Sequence, residues 1–180
     1  MVEYYNGRDE FMLNFKLLEE EWNRTRNVDF ETKAPYGIYK VKIIGLERRE
    51  EPEKNRERIR ITYKILEGDY QNVGLRDNYY LSENSSRSTQ LFQYNNIKMF
   101  FQTIAPKKQW DFENMEHLAQ HLPLYLEETQ KYEYKINYRQ DNNGFDRIYI
   151  QSQEEIKTPK TEIIDDIEDI YVSTYPSEEE

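Results

Sequence analysis

The stretch R-E-R-I-R-I-T-Y-K-I-L, from Arg56 to Leu66, decides how the chain is read. Side chains alternate sides of an extended strand, so Ile59, Ile61, Tyr63 and Ile65 share one face and Arg58, Arg60, Thr62 and Lys64 the other. A helix would scatter both sets around its circumference. The pattern therefore predicts a half-buried strand with an apolar side for a core and a cationic side for solvent or a polyanion.

The residues on either side extend this pattern. Upstream, Pro35 and Gly37 start a strand over Ile38–Leu46 in which Tyr39, Val41 and Ile43 alternate with Lys40 and Lys42. The charged run E-R-R-E-E-P-E-K-N-R then reads as a loop, making the two strands a long-tipped hairpin. Downstream, Gly68 marks a turn. A third strand follows over Asn72–Ser82, with Val73, Leu75, Tyr79 and Leu81 inward and Arg76, Asn78 and Tyr80 outward.

A helix is expected from Ser88, its N-cap, to Ile104, with the stripe Leu91, Tyr94, Ile97, Phe101 and Ile104. A shorter helix over Asn114–Leu122 is expected to stop at Pro123. Two more strands close the series. Tyr132, Tyr134, Ile136 and Tyr138 share a face, D-N-N-G turns the chain, and F-D-R-I-Y-I returns. The order β-β-β-α-β-β predicts a mainly β protein, a five-stranded barrel of the OB type, whose closure removes sheet edges.

Outside this body, Asp9 can cap a helix to about Arg24, on which Phe11, Phe15, Leu18 and Trp22 form a stripe. Packing of residues 1–32 on the barrel is the favoured reading; partner binding or self-association into a homo-oligomer is the other. Residues 33–152 are the expected barrel domain. From Gln153 to Glu180 the alternation ends and acidic residues dominate, which predicts a mobile tail. Within it, Asp165, Asp166, Ile167, Asp169, Ile170 and Tyr171 form the segment expected to dock on a partner.

Charge is distributed to match. The 180 residues carry a net −10, yet residues 33–110 hold 15 basic and 9 acidic side chains, while residues 154–180 hold 2 and 10. A cationic centre thus precedes a strongly acidic end, and the total charge hides both. The chain has no cysteine, which excludes disulfides and thiolate chemistry. The first residues carry neither a basic leader nor an apolar signal core, and no apolar run approaches the ~18 residues needed to span a bilayer. A soluble intracellular protein is expected.

Enzyme signatures do not emerge. His117 and His121 are spaced i, i+4, but Leu118 stands where a zinc-protease helix has its glutamate. No metal or other cofactor is expected, and no phosphate-cradling loop or nucleophile elbow occurs. The chemistry that does recur is cation plus aromatic ring, with 16 tyrosines in the chain. Lys40, Lys42, Arg58, Arg60, Lys64 and Arg76 are the candidate phosphate contacts, extended by the loop cations Lys54, Arg56 and Arg87. Tyr80 and Phe145 are the candidate stacking platforms. Such a surface suits single-stranded nucleic acid, with no groove-reading helix to suggest duplex. RNA, or a protein-interaction module whose tail mimics DNA, are the alternatives.

The motifs P-Y-G-I-Y-K-V-K-I (Pro35–Ile43) and I-T-Y-K-I-L-E-G-D-Y-Q-N (Ile61–Asn72) resemble a family of bacteriophage proteins regarded as probable single-stranded-DNA-binding proteins. The resemblance covers residues 33–82 well and the next helix loosely. It implies an OB-type barrel, a role in phage DNA replication or recombination, and the cytoplasm of an infected bacterial host. It supplies no DNA-contacting residues. The acidic tail is similar to those with which single-stranded-DNA-binding proteins recruit replication or recombination proteins and cover their own groove, although it ends in Glu178-Glu179-Glu180 rather than phenylalanine.

Overall fold

A computed structural model describes residues 15–157. The alternation that opens the sequence reading holds: Ile59, Ile61, Tyr63 and Ile65 are all fully buried on one side of β2 (Arg56–Ile65). Its neighbour β1 (Gly37–Glu51) is longer than the alternation suggested, because the charged run after Leu46 continues the ladder. Glu47 pairs with Arg60 and Glu51 with Arg56, so opposite charges stitch the two ends of the extension, while Arg49 faces Arg58 and Glu50 faces Glu57 between them. A single 3-10 turn over Pro52–Lys54 closes the hairpin, with Asn55 in the left-handed region at φ 47°.

One irregularity keeps the faces consistent. The register shifts between Ile43 and Gly45, leaving Ile44 as an extra residue. This β-bulge restores the phase, with Lys40, Lys42, Glu47 and Arg49 on the outer side and Val41, Ile43 and Leu46 on the core side.

The remaining strands are β3 (Gly74–Ser82), β4 (Tyr132–Gln140) and β5 (Asp146–Glu155). They assemble into one antiparallel sheet in the order β3-β2-β1-β4-β5. The sheet is open. β3 and β5 are its two edges and share no ladder, so the expected OB-type barrel is not formed and the chain is a mixed α/β fold. The strand order was legible, but closure depends on edge pairing, and here a side chain occupies the seam. Asp77 of β3, only 2% exposed, accepts from the backbone N–H of Ile148 on β5 at 3.2 Å. The inference from barrel to single-strand binding loses its premise with the barrel.

Two helices cover the core side, α2 (Arg87–Ile104) and α3 (Met115–Thr129). Ser86, rather than Ser88, caps α2, accepting from the N–H of Thr89 at 3.3 Å. Ile97, Phe100, Phe101 and Ile104 are buried, whereas Leu91 and Tyr94 of the expected stripe stay exposed. α3 does not stop at Pro123. A proline inside a helix costs ~3 kcal/mol or more, but burial of Leu122, Tyr125 and Thr129 on both sides of it offsets that cost.

α1 (Phe15–Thr25) precedes the sheet, and the part expected to begin at Asp9 lies outside the described residues. Phe15 and Trp22 of its stripe are 78% and 61% exposed. Phe15, Leu18 and Trp22, the described part of the stripe, are therefore exposed rather than packed on the body of the domain, and Phe11 lies outside the described residues. The N-terminal segment is held instead beyond the helix, where Asp29 bridges Val73 and the Phe30 ring rests over the bare backbone of Gly74. At the other end β5 runs to Glu155, and the N–H of Ile156 donates to Lys131 O at 2.8 Å. The docking segment Asp165–Tyr171 lies outside the described residues. Among the described residues no helix is long and apolar enough to cross a membrane.

Candidate nucleic-acid interface

The outer face of β1, β2 and β3 collects most of the cations singled out above. Lys42 lies directly opposite Lys64, Arg49 opposite Arg58, and Arg58 opposite Tyr80. Arg76 lies opposite Thr62 on the same face, with its guanidinium 4.2 Å from the centre of the Phe30 ring.

Carboxylates already engage part of the set. Lys40 pairs with Glu133 at 2.6 Å. Glu51 gathers Arg56, Arg58 at 3.0 Å and Lys54 at 3.8 Å. The Arg56 hydrogen bond, followed by the charges of Arg58, Arg56 and Lys54, holds the Glu51 carboxyl below its usual range. Arg49 turns to Glu47. Lys42, Lys64, Arg60 and Arg76 have no carboxylate within ion-pair distance among the described residues.

Arg60 sits at the centre of the unpaired group. Its Nε is buried with no hydrogen-bond partner. Burial, then the like charges of Arg58, Arg49 and Arg76, lower its pKa, with Glu47 opposing. Four guanidinium groups crowded on one face repel each other, and an anion placed among them relieves that repulsion. Arg87 lies apart from this face, in the first turn of α2.

A second feature adjoins the first. At the unladdered seam between β3 and β5, α2 and the β4–β5 hairpin flank an open groove of about 590 Å³. Phe92, Asn96 and Met99 of α2 form one wall, and Phe145, Arg147 and Tyr149 the other. Phe92 and Phe145 are 66% and 67% exposed, an unusual state for two phenylalanines in one groove. The hairpin tip that presents Phe145 is rigidly built. The Asp141 carboxylate accepts from the N–H groups of Asn143 and Phe145, and Gly144 takes φ +84°.

Tyr80 belongs to both features. It lines the groove and also lies beneath the arginines of the outer face, with Arg56 at 4.4 Å and Arg58 at 5.9 Å from its ring centre. The two stacking candidates read from the sequence, Tyr80 and Phe145, thus meet in one groove. Phe92 and Tyr149 were missed. Phe92 lies beside the stripe that begins at Leu91, and its only signal was the spacing of seven to Met99 along a second helix face.

The two histidine rings meet edge to face with centres 5.1 Å apart and pack around Phe112, at 5.3 and 5.2 Å. Among the described residues no three metal-ligating side chains converge.

Fold and site together define a mixed α/β domain, an open five-stranded antiparallel sheet with two helices on its core side and a cationic outer face. Residues 23–156 match the family described as Protein of unknown function (DUF669), and the chain belongs to that family. No curated protein and no solved structure matches the chain.

Proposed function

We propose that this protein binds single-stranded DNA, without strong sequence preference and without catalysing a reaction on it. The observation that carries the reading is the position of Tyr80, which joins the cationic outer face to the aromatic groove. Backbone phosphates lie along Lys42, Lys64, Arg60 and Arg58, and bases turn past Tyr80 into the space between Phe92 and Phe145. Stacking contributes ~1–3 kcal/mol per base and accepts any base, because every base has a flat apolar face. The open seam supplies the groove that a closed barrel would have filled with backbone pairing.

The resemblance to phage proteins supports, as part of the same proposal, a role in DNA replication or recombination in the cytoplasm of a bacterial host. In that setting the acidic tail, net −8 over residues 154–180, recruits partner proteins and covers the cationic face when DNA is absent. A protein-interaction reading has one observation of its own, the exposed Phe15 and Trp22 on α1. It predicts that partner capture, not oligonucleotide affinity, survives at physiological salt.

The test is a fluorescence-anisotropy titration of oligo-dT against the full chain and against a chain ending at Lys157. Binding is expected from both, tighter for the shortened chain, with log K falling against log salt by about 0.7 per neutralised phosphate. Absence of binding by either at low salt overturns the proposal.

A further inference from the structure

Where β3 and β5 approach without a ladder, two side chains replace it. Asp77 is the only buried acidic side chain among the described residues. One of its carboxylate oxygens accepts from the N–H of Asn78 at 2.7 Å and the other from that of Ile148 at 3.2 Å. Across the seam Arg147 reaches Asp77 at 3.4 Å, donates to the carbonyl of Asn78 at 3.0 Å, and lies 4.9 Å from the centre of the Tyr79 ring. Burying an acid is costly unless its charge and lone pairs are met, and here Arg147 and the two N–H groups meet them. A backbone ladder would have tied the edges along their length; here the tie is concentrated at one point.

That point lies within the groove. Arg147 of β5 sits between Phe145, just before the strand, and Tyr149 within it, and all three line the same wall. The opposite wall is fixed separately, by burial of Ile97, Phe100 and Phe101 on the core side of α2. The width of the groove is therefore set by how β5 is held to β3. A stacked base needs its platform in contact on the scale of van der Waals separation, whereas a phosphate on a solvated cationic face tolerates more displacement.

We infer that Asp77 and Arg147 are positioning residues for the groove: across a seam with no ladder they fix the wall carrying Phe145 and Tyr149, so that base stacking depends on the pair and phosphate contact does not. The inference rests on the single-strand reading above and adds to it which residues set the stacking geometry. Asp77 touches no ligand in this account and acts through Arg147 and the backbone of Ile148.

The experiment compares oligo-dT with an abasic oligomer of equal length, titrated against the full-length wild type, Asp77→Asn and Arg147→Gln at low salt. Wild type is expected to bind oligo-dT more tightly than the abasic strand. Both variants are expected to lose affinity for oligo-dT by about tenfold, the equivalent of one stacked base, while abasic binding stays within about twofold. Arg147→Lys, which keeps the cation, is expected to recover part of the loss.

Equal loss of both oligomers in the variants shows a merely structural pair and overturns the inference. Unchanged oligo-dT affinity in Arg147→Gln overturns it as well. Should Asp77→Asn not fold, Arg147→Gln decides alone, since it leaves the Asp77–Ile148 hydrogen bond in place. If wild type binds neither oligomer, the single-strand reading itself fails, a result distinct from the other two.

Discussion

Lys42 and Lys64 face each other across the β1–β2 ladder, two ammonium groups in direct register with no carboxylate in ion-pair reach among the described residues. Like charges directly opposite on a sheet cost stability, on the order of 0.2–1 kcal/mol, and an ordinary solvated face would place an acid at one of the two positions. Lys64→Gln is therefore expected to raise the melting temperature slightly while weakening oligo-dT binding. The slope of log K against log salt should become shallower by about 0.7, one phosphate contact. Thermal melts and a salt series on the same variant check both halves. A variant that lowers the melting temperature and leaves the slope unchanged contradicts this role.

Phe92 and Phe145 make the complementary case. Each is about two-thirds exposed, so truncation removes little buried surface. Phe92→Ala and Phe145→Ala are expected to change folding stability by less than about 0.5 kcal/mol. Each is expected to cost ~1–3 kcal/mol in oligo-dT binding and far less in abasic binding. Urea unfolding beside anisotropy titration separates the two effects.

Acid should act on the seam through Asp77. Burial pushes its carboxyl above the ordinary 3.8, the charge of Arg147 and the N–H groups of Ile148 and Asn78 pull it down, and Asp141 pushes it up. Tyr63 and Tyr79 also face it, both raised by burial and both protonated at neutral pH. Because its folded pKa is raised, the ionised form costs folding stability, and that cost is recovered as pH falls from the raised value to the unfolded one. The stability of wild type relative to Asp77→Asn is therefore expected to increase over that window. Oligo-dT affinity should fall over the same window, since a protonated Asp77 no longer holds Arg147. Urea melts and titrations at stepped pH read both, and a flat stability difference contradicts the assignment.

Gly74 offers a test of how the N-terminal segment is held. A Cβ at this position would fall 2.3 Å from the Phe30 ring and 2.8 Å from Val28, both side chains of the segment before β1. Gly74→Ala is expected to destabilise by ~1–3 kcal/mol, as overpacking does, and to free Arg76 from the Phe30 ring. Exchange of the Gly74 amide, which donates to Asp29 O at 2.7 Å, should accelerate in hydrogen-exchange measurements.

Much of the sheet was legible because period-two alternation reports directly which side chains share a face. Arg56–Leu66 needed nothing more. What alternation does not report is phase across an inserted residue or pairing between distant edges. The bulge at Ile44 is hidden in an Ile-Ile pair, and the seam is hidden because Asp77 reads as one more polar residue on a strand. The site divides in the same way. Lys42, Lys64, Arg60 and Tyr80 follow from strand phase alone. Phe92 and Tyr149 acquire meaning only when α2 and β5 are brought side by side, and the capture of Lys40 by Glu133 depends on β4 lying next to β1.

The most direct measurement is ultraviolet cross-linking of oligo-dT to the full chain at low salt, with the linked residues located by mass spectrometry. The proposed surface predicts cross-links at Tyr80, Phe92, Phe145 and Tyr149, lost when abasic strand replaces oligo-dT. Cross-links confined to Phe15 and Trp22 of α1, or none at all under conditions where the protein is folded, would contradict it.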